Sequence, residues 1–159
     1  TIEAFYQANI DLTAERPKFS FYTADSPIYS HPRFLPPSRI LDCNLTRSMI
    51  SEGCEIAKST ITESVVGIRS IVREGCEISQ TLVLGADYYE DQTEEETPLG
   101  IGPGSMIRKA IIDKNARIGR DVKIVNRRDL TDYDGENFYV RDGIVIVPKN
   151  SVIPDGTVI

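Results

Sequence analysis

The feature that most constrains the fold of this chain is a short repeat that runs through most of it from Cys43 onward. A small residue is followed two places later by an aliphatic one, and this pair returns about every six residues. Neither a 3.6-residue helical period nor plain strand alternation produces this spacing. It is typical of a left-handed parallel β-helix, an all-β fold in which three short strands make one triangular coil.

Assigning the fifteen aliphatic positions to three faces in chain order predicts about five coils. The first face would carry Leu45, Ile61, Ile78, Ile112 and Val147. The second face would carry Ile50, Val66, Val83, Ile118 and Ile153. The third face would carry Ile56, Val72, Ile107, Ile124 and Ile159. We expect these side chains to point into the prism, with the small residues where its wall is tight.

Two segments precede the β-helix domain, which we assign to residues 42–159. Residues 1–16 predict an amphipathic helix without a cap residue, with Ile2, Phe5, Tyr6 and Ile10 on one side and Pro17 as its stop. This helix would pack on its own domain or link to a catalytic domain upstream in a longer polypeptide. Residues 17–41 are rich in proline and aromatic residues, which predicts an ordered connector held on the β-helix wall by its rings.

Two excursions interrupt the repeat, and loops of this kind often carry the binding function of a solenoid. The first, residues 84–104, contains Tyr88, Tyr89 and the acidic run Glu94–Glu96. The second, residues 126–143, contains two adjacent arginines and an acidic cluster. We interpret the acidic run of the first excursion as a solvated tip.

Composition excludes several classes of function. The net charge of -6 argues against a nucleic-acid-binding face, and no apolar run approaches the length that spans a membrane.

The three cysteines, Cys43, Cys54 and Cys76, fall in the small inward slots, which predicts buried, reduced thiols. Cys43 and Cys76 would lie two coils apart, roughly 10 Å at sheet spacing, which is too far for a disulfide.

Residues for catalysis are sparse. The single histidine, His31, lies in the connector rather than on a coil, so no Ser-His-Asp set forms around it. The chain has no glycine-rich phosphate loop, and its cysteines lack metal-ligand spacing. Catalysis by this chain alone is therefore unsupported.

Register singles out two lysines. Lys114 and Lys149 each lie two residues after an inward residue of the first face, on successive coils. They should stack on the outside about 4.8 Å apart. Stacked like charges are unfavourable, so either an anion bridges the pair or the two side chains lean apart into solvent. Asp113 and Asn115 flank Lys114 and would neutralise part of its charge.

Several stretches resemble one known family: TIEAFYQAN, SPIYSHPRFLPPS, SVVGIRS, LVLGADYYE, AIIDKNARIG and DGIVIVPKNSVIPDGTVI. Together they resemble the C-terminal part of glucose-1-phosphate adenylyltransferases (ADP-glucose pyrophosphorylases) of cyanobacterial and plant type. The resemblance implies a β-helix packed on an N-terminal nucleotidyltransferase domain. That domain forms ADP-glucose and pyrophosphate from ATP and glucose 1-phosphate with Mg²⁺, for glycogen or starch synthesis. This chain alone would then be inactive.

The same resemblance implies an allosteric anion site. The family's effector-binding basic positions correspond to Arg33, Lys114 and Lys149, with Asp113 beside them, and the effectors would be 3-phosphoglycerate and inorganic phosphate. The implied partners are the chain's own catalytic domain and the other subunits of a homo- or heterotetramer, with no nucleic acid and no membrane. The implied location is the bacterial cytoplasm or the plastid stroma.

Two other functions are compatible with a hexapeptide β-helix. A hexapeptide acyltransferase generally needs a histidine on a coil, and His31 is not on one. A purely structural oligomerisation platform needs no site, and it would show no saturable binding of a phosphate ester.

Overall fold

A computed structural model describes residues 1–91 and 95–159 and shows the predicted left-handed parallel β-helix. One helix, α1 (Ile2–Asp11), precedes it. Six parallel strands form the third face: β1 (Arg39–Leu41), β4 (Glu55–Ala57), β7 (Ile71–Val72), β9 (Gly100–Ile101), β11 (Arg117–Ile118) and β16 (Val152–Ile153). The first and second faces are formed by β2 (Asn44–Thr46), β3 (Met49–Ile50), β5 (Thr60–Thr62), β6 (Val65–Val66), β8 (Glu77–Val83), β10 (Met106–Ile112), β12 (Lys123–Ile124) and β15 (Ile144–Val147).

The inward aliphatic residues form one continuous core, as the repeat predicts. Beyond the first coil they are almost fully buried, with Ile61, Val66 and Ile107 completely inaccessible. The small residues have a second role that the pattern did not reveal. The buried Ser59 hydroxyl donates to the Ala57 carbonyl at 2.8 Å and accepts from the Cys76 N–H of the next coil at 3.1 Å. Small polar residues therefore satisfy backbone groups inside the wall.

The predicted assignment of residues to faces is wrong after the first excursion. The chain re-enters the coil at β9, where Ile101 pairs with Val72 on the third face. Ile101 escaped the pattern because the buried Leu99, rather than a small residue, lies two places before it. Every later position therefore moves by one face. The second face continues with Ile112 and Val147, the third with Ile118 and Ile153, and the first with Ile107, Ile124 and Ile159.

The two ends of the prism differ. At the N-terminal end, β1 already belongs to the coil, although the sequence placed residues 39–41 in the connector. There the inward residues Ile40 and Leu45 remain about 40% exposed, so this end is open. At the other end, β13 (Asp132–Asp134) and β14 (Tyr139–Arg141) form an antiparallel hairpin that pairs with β15. Its Val140 is buried in the core, so the hairpin of the second excursion caps this end.

Helix α1 lies on the outside of the second face. Tyr6 is buried among Leu82, Ile111 and Ile144, and its hydroxyl donates to the Gln80 carbonyl at 2.7 Å. The helix therefore packs on its own domain. It begins with a cap, since Thr1 accepts from the Ala4 N–H, and it ends at Asp11, well before Pro17. Within the described residues α1 is the single helix, and it lacks the length and apolarity needed to cross a bilayer.

The connector does not lie on the wall by its rings as predicted. Tyr22, Tyr29 and Phe34 are 87%, 91% and 94% exposed. Contacts with the first coil come instead from residues 36–38, where the Gly53 N–H donates to the Pro36 carbonyl at 2.8 Å and Ser38 donates to the Ser51 carbonyl. Hydrogen bonds to the Pro36 carbonyl and from the Ser38 side chain, rather than aromatic burial, attach the connector to the coil.

The first excursion follows the outside of the third face. Glu90 pairs with Arg117 at 2.6 Å in a contact that leaves only 12–14% of either side chain exposed. The Tyr89 hydroxyl donates to the Gly53 carbonyl at 3.0 Å. Of the predicted acidic tip, Glu95 and Glu96 are exposed and Glu94 lies outside the described residues.

The three cysteines are free thiols, as predicted. Cys54 and Cys76 are buried, and that burial raises the pKa of both thiols. Cys43 is only partly buried because it belongs to the open first coil.

Replacing Ile118 with Ala tests the core. The free energy of unfolding should fall by about 2–5 kcal/mol, because a fully buried side chain leaves a cavity between Ile101 and Ile153. The outward Val152 of the neighbouring strand offers a control. Val152→Ala should change the free energy of unfolding by about 0.5 kcal/mol or less. Urea unfolding of both variants measures the difference, and equal stabilities would contradict the inward placement of Ile118.

The burial of the Tyr6 phenol predicts that the protein loses stability in alkali. Burial, followed by the charge of Glu63, raises the pKa of Tyr6 to about 12 from 10.0. Because its pKa is raised, the folded state favours the neutral phenol over the phenolate. The contribution of Tyr6 to the free energy of unfolding is therefore complete below pH 10 and is lost between pH 10 and 12. Tyr6→Phe should remove that part of the pH dependence in urea unfolding, whereas Tyr29→Phe should retain it. Identical profiles for Tyr6→Phe and wild type would contradict the burial of the phenol.

Candidate functional site

The corner between the second and third faces is built on a pair of asparagines. Asn115 and Asn150 both adopt left-handed backbone conformations, with φ of 60° and 62°. Asparagine tolerates this region better than most residues. The Asn115 side-chain amide donates to Asn150 Oδ1 at 3.1 Å, and the Asn150 N–H donates to the Lys114 carbonyl at 3.0 Å. The two turns are therefore stacked and cross-linked.

The two lysines precede these asparagines and are stacked as predicted. Ile112 pairs with Val147, so Lys114 and Lys149 lie on neighbouring coils. Both lysines follow strands of the second face rather than the first, as in the corrected assignment of faces. Their register relative to each other is the predicted one. Lys114 Nζ lies 3.0 Å from Asp87 Oδ1, and Lys149 Nζ lies 2.7 Å from Asp87 Oδ2. One carboxylate thus bridges both ammonium groups.

The bridging anion is Asp87, which sequence reasoning missed. Hydrogen bonds from Lys149, Lys114 and Asn115 hold the pKa of the Asp87 carboxyl far below its usual range. In return, the Asp87 carboxylate raises the pKa of Lys149. Asp87 lies in the excursion, outside the repeat, so no register argument could place it. The Lys-Asn dipeptide at both corners was the available signal for Asn115 and Asn150.

Asp113 lies beside the lysine pair and contacts the backbone of its turn. Its Oδ1 accepts from the Lys114 backbone N–H at 2.7 Å, which orders the turn that carries Lys114. Its charge also contributes a smaller upward shift to the pKa of Lys149. Asp87, rather than Asp113, neutralises the lysine side chains directly.

Arg33 is not in contact with the lysine pair. It is exposed and lines a pocket of about 560 Å³ on the connector side, together with Ser51, Glu52 and Ile68. Ile68 lies on the same corner as the lysines but on an earlier coil, since the Ala86 N–H of the next coil donates to its carbonyl. The structure therefore brings together Lys114 and Lys149 with Asp113 beside them, and leaves Arg33 further along the edge.

A second concavity lies on the outside of the third face. This groove has a volume of about 700 Å³ and runs between the first excursion and the coils. Its charged lining includes Arg39 and Arg73 as well as Glu55, Glu74 and Asp91. Because both signs of charge alternate there, the groove has no clear preference for an anion, and the lysine corner is the better candidate.

Metal-ligating groups do not converge in the described part of the chain. His31 lines the connector pocket and is exposed. Across residues 1–91 and 95–159, no group of three or more His, Cys, Asp or Glu side chains could hold a metal ion. The chemistry available at the lysine corner is the binding of an oxyanion.

Comparison with protein families agrees with the fold. A family model described as the GLGC left-handed parallel beta-helix domain matches residues 33–158. The chain belongs to this family. The GLGC β-helix is the C-terminal domain of glucose-1-phosphate adenylyltransferase. The match covers the β-helix up to Val158, including both excursions, and it leaves α1 outside.

The bridge between Asp87 and the two lysines predicts how the Asp87 carboxyl titrates. In wild type, the carboxyl group of Asp87 should titrate far below the usual aspartate range. Lys149→Ala should raise this pKa most, Lys114→Ala should raise it less, and the exposed Lys123→Ala should leave it unchanged. A pH titration of the ¹³C carboxyl resonance measures all four proteins. An Asp87 carboxyl that titrates in the ordinary range in wild type would contradict the bridge.

Proposed function

We propose that this chain is the regulatory and assembly domain of a glucose-1-phosphate adenylyltransferase, and that it binds anionic effectors at the lysine corner. The supporting observation is the pair of ammonium groups from Lys114 and Lys149, which converge on two oxygens of one carboxylate. A phosphate or carboxylate group offers oxygens in a similar arrangement. The pair is therefore preorganised for an oxyanion.

The proposed effectors are 3-phosphoglycerate and inorganic phosphate. Lysines supply point charge to a phosphate, and each charge-assisted contact is worth roughly 1.5–3 kcal/mol. Asp113 holds the turn of Lys114 in place through its bond to the backbone. In this proposal Arg33 reaches the ligand from the connector, where it is exposed, and adds a bidentate contact that a lysine cannot make.

The reaction itself belongs, in this proposal, to a nucleotidyltransferase domain of the parent enzyme. That domain would form ADP-glucose and pyrophosphate from ATP and glucose 1-phosphate and would bind Mg²⁺. The described residues of this chain do not provide a cluster that fits a metal ion, and we assign them no step of the chemistry. Their part is to change the activity of the catalytic domain according to effector concentration. This requires two states of the enzyme with different effector affinity.

Two apolar surfaces support a role in assembly. The first coil is open, with Ile40, Leu41 and Leu45 each about 40% exposed. The connector exposes several large rings, Phe19, Phe21, Tyr22, Tyr29 and Phe34. Open solenoid ends and strand edges are normally covered. We propose that the connector and α1 contact the catalytic domain, that neighbouring subunits of a homo- or heterotetramer cover the coils, and that the enzyme works in the bacterial cytoplasm or the plastid stroma.

A purely structural platform is the second candidate, because the same open coil supports it. It differs from the first in a measurable way, since a platform would show no saturable binding of phosphate esters at the corner. An acyltransferase has less support, because His31 lies on the exposed connector rather than on a coil.

Activation of the full-length enzyme by 3-phosphoglycerate tests the regulatory proposal. Lys114→Ala and Lys149→Ala should each raise the half-activation concentration about ten-fold or more, because each removes one charge-assisted contact. The control is Lys123→Ala, which removes an exposed lysine of β12 away from this corner and should leave the activation curve unchanged.

The decisive quantity is the half-activation concentration, read from turnover at saturating substrates. If neither Lys114→Ala nor Lys149→Ala changes it, the lysine corner is not the effector site. If saturable activation occurs in no protein, wild type included, the structural platform becomes the better account.

A further inference from the structure

The lysine pair already has a ligand from its own chain. The Asp87 carboxylate contacts Lys149 at 2.7 Å and Lys114 at 3.0 Å, and it also accepts from the Asn115 side-chain amide at 3.2 Å. Any other oxyanion that uses both ammonium groups has to occupy the same space. Two anions cannot share this position because their charges repel.

We propose that Asp87 is an internal competitor for the effector site, and that an anion binds there only by displacing the Asp87 side chain. This inference rests on the proposed function, since it assumes that anions bind at the lysine pair. It assigns a role to a residue outside the coil repeat. It also means that the measured affinity for an effector is lower than the intrinsic affinity of the lysines.

Asp87 can leave without disturbing the coil. Its side chain is 36% exposed and therefore has room to rotate into solvent. Its backbone is held separately, because its N–H donates to Asn115 Oδ1 at 2.8 Å and the preceding Ala86 N–H donates to the Ile68 carbonyl at 2.9 Å. The Asn115 amide keeps its bond to Asn150 after the carboxylate leaves. A side-chain rotation thus frees both lysines while the corner remains intact.

The exposure of this contact also makes it replaceable. Ion pairs at the surface contribute little net stability, because water and salt screen them. A ligand that brings more charge than one carboxylate, and at least two acceptor oxygens, gains more from the two ammonium groups than Asp87 does. Dianionic phosphate or a phosphate monoester meets both conditions, whereas a monocarboxylate such as acetate only equals the internal ligand. Competition with Asp87 therefore makes the site selective for phosphate-bearing anions.

The binding of inorganic phosphate to this chain tests the competition. Asp87→Asn removes the carboxylate charge and keeps the size of the side chain. If Asp87 occupies the lysines about nine-tenths of the time, this variant should bind phosphate about ten-fold more tightly, because the apparent dissociation constant scales inversely with the free fraction of the site. Asp91→Asn is the matched control: it makes the same charge change at an exposed position of the same excursion, and it should bind as wild type does.

Isothermal titration of these three proteins and of Lys149→Ala distinguishes the outcomes. Equal affinities for wild type and Asp87→Asn, both saturable and both lost in Lys149→Ala, would overturn the competition and leave the effector site standing. An equal gain in both aspartate variants would show only a general charge effect and would also overturn it. Absence of phosphate binding in wild type and in Asp87→Asn would overturn the site and the competition together.

A second measurement follows Asp87 itself in the wild-type chain. At about pH 8, where phosphate is a dianion, the ¹³C carboxyl resonance of Asp87 should shift saturably with phosphate concentration, because its contacts with both lysines are broken. This resonance is read in the wild-type chain and needs no variant that has to fold. A resonance that stays unchanged up to saturating phosphate would overturn the proposal.

Discussion

The whole structure depends on corners in which the backbone turns through the left-handed region. Such conformations recur along the coils at residues other than glycine, among them Asp42, Lys58, Glu63, Gln80 and Lys109. Each costs roughly 1–2 kcal/mol for a residue with a Cβ atom, so isolated turns of this kind would not persist. Here the corners lie between strands that are hydrogen-bonded to neighbouring coils, on both sides within the prism and on one side at its open first coil, and these ladders hold the strained residues in place.

The candidate site is a direct product of one such corner. Asparagine suits the left-handed position, and the stacking of Asn115 on Asn150 places the preceding lysines on top of each other. Stacked ammonium groups repel each other unless an anion lies between them. The chain supplies that anion as Asp87, from an excursion that Glu90 and Arg117 fasten to the neighbouring face. Backbone geometry thus creates a local excess of positive charge, and a loop neutralises it in the absence of ligand.

Local periodicity explains which features the sequence could predict. The coils and their inward residues follow from a pattern that repeats over most of the chain. The stacking of Lys114 on Lys149 was also predictable, since it needs only the relative register of two similar motifs. Ile101 was missed because the chain re-enters the coil there without a small residue before it. Asp87 and the exposed connector rings depend on the paths of non-repeating segments, and tertiary contacts alone determine those paths.

The most direct test of this account is a crystal structure, with 3-phosphoglycerate bound, of the glucose-1-phosphate adenylyltransferase that we propose contains this chain. The account predicts a phosphate group between Lys114 Nζ and Lys149 Nζ, with the Asp87 side chain rotated away and the Asn115–Asn150 contact preserved. A structure in which the effector is bound elsewhere, while Asp87 still bridges both lysines, would contradict it.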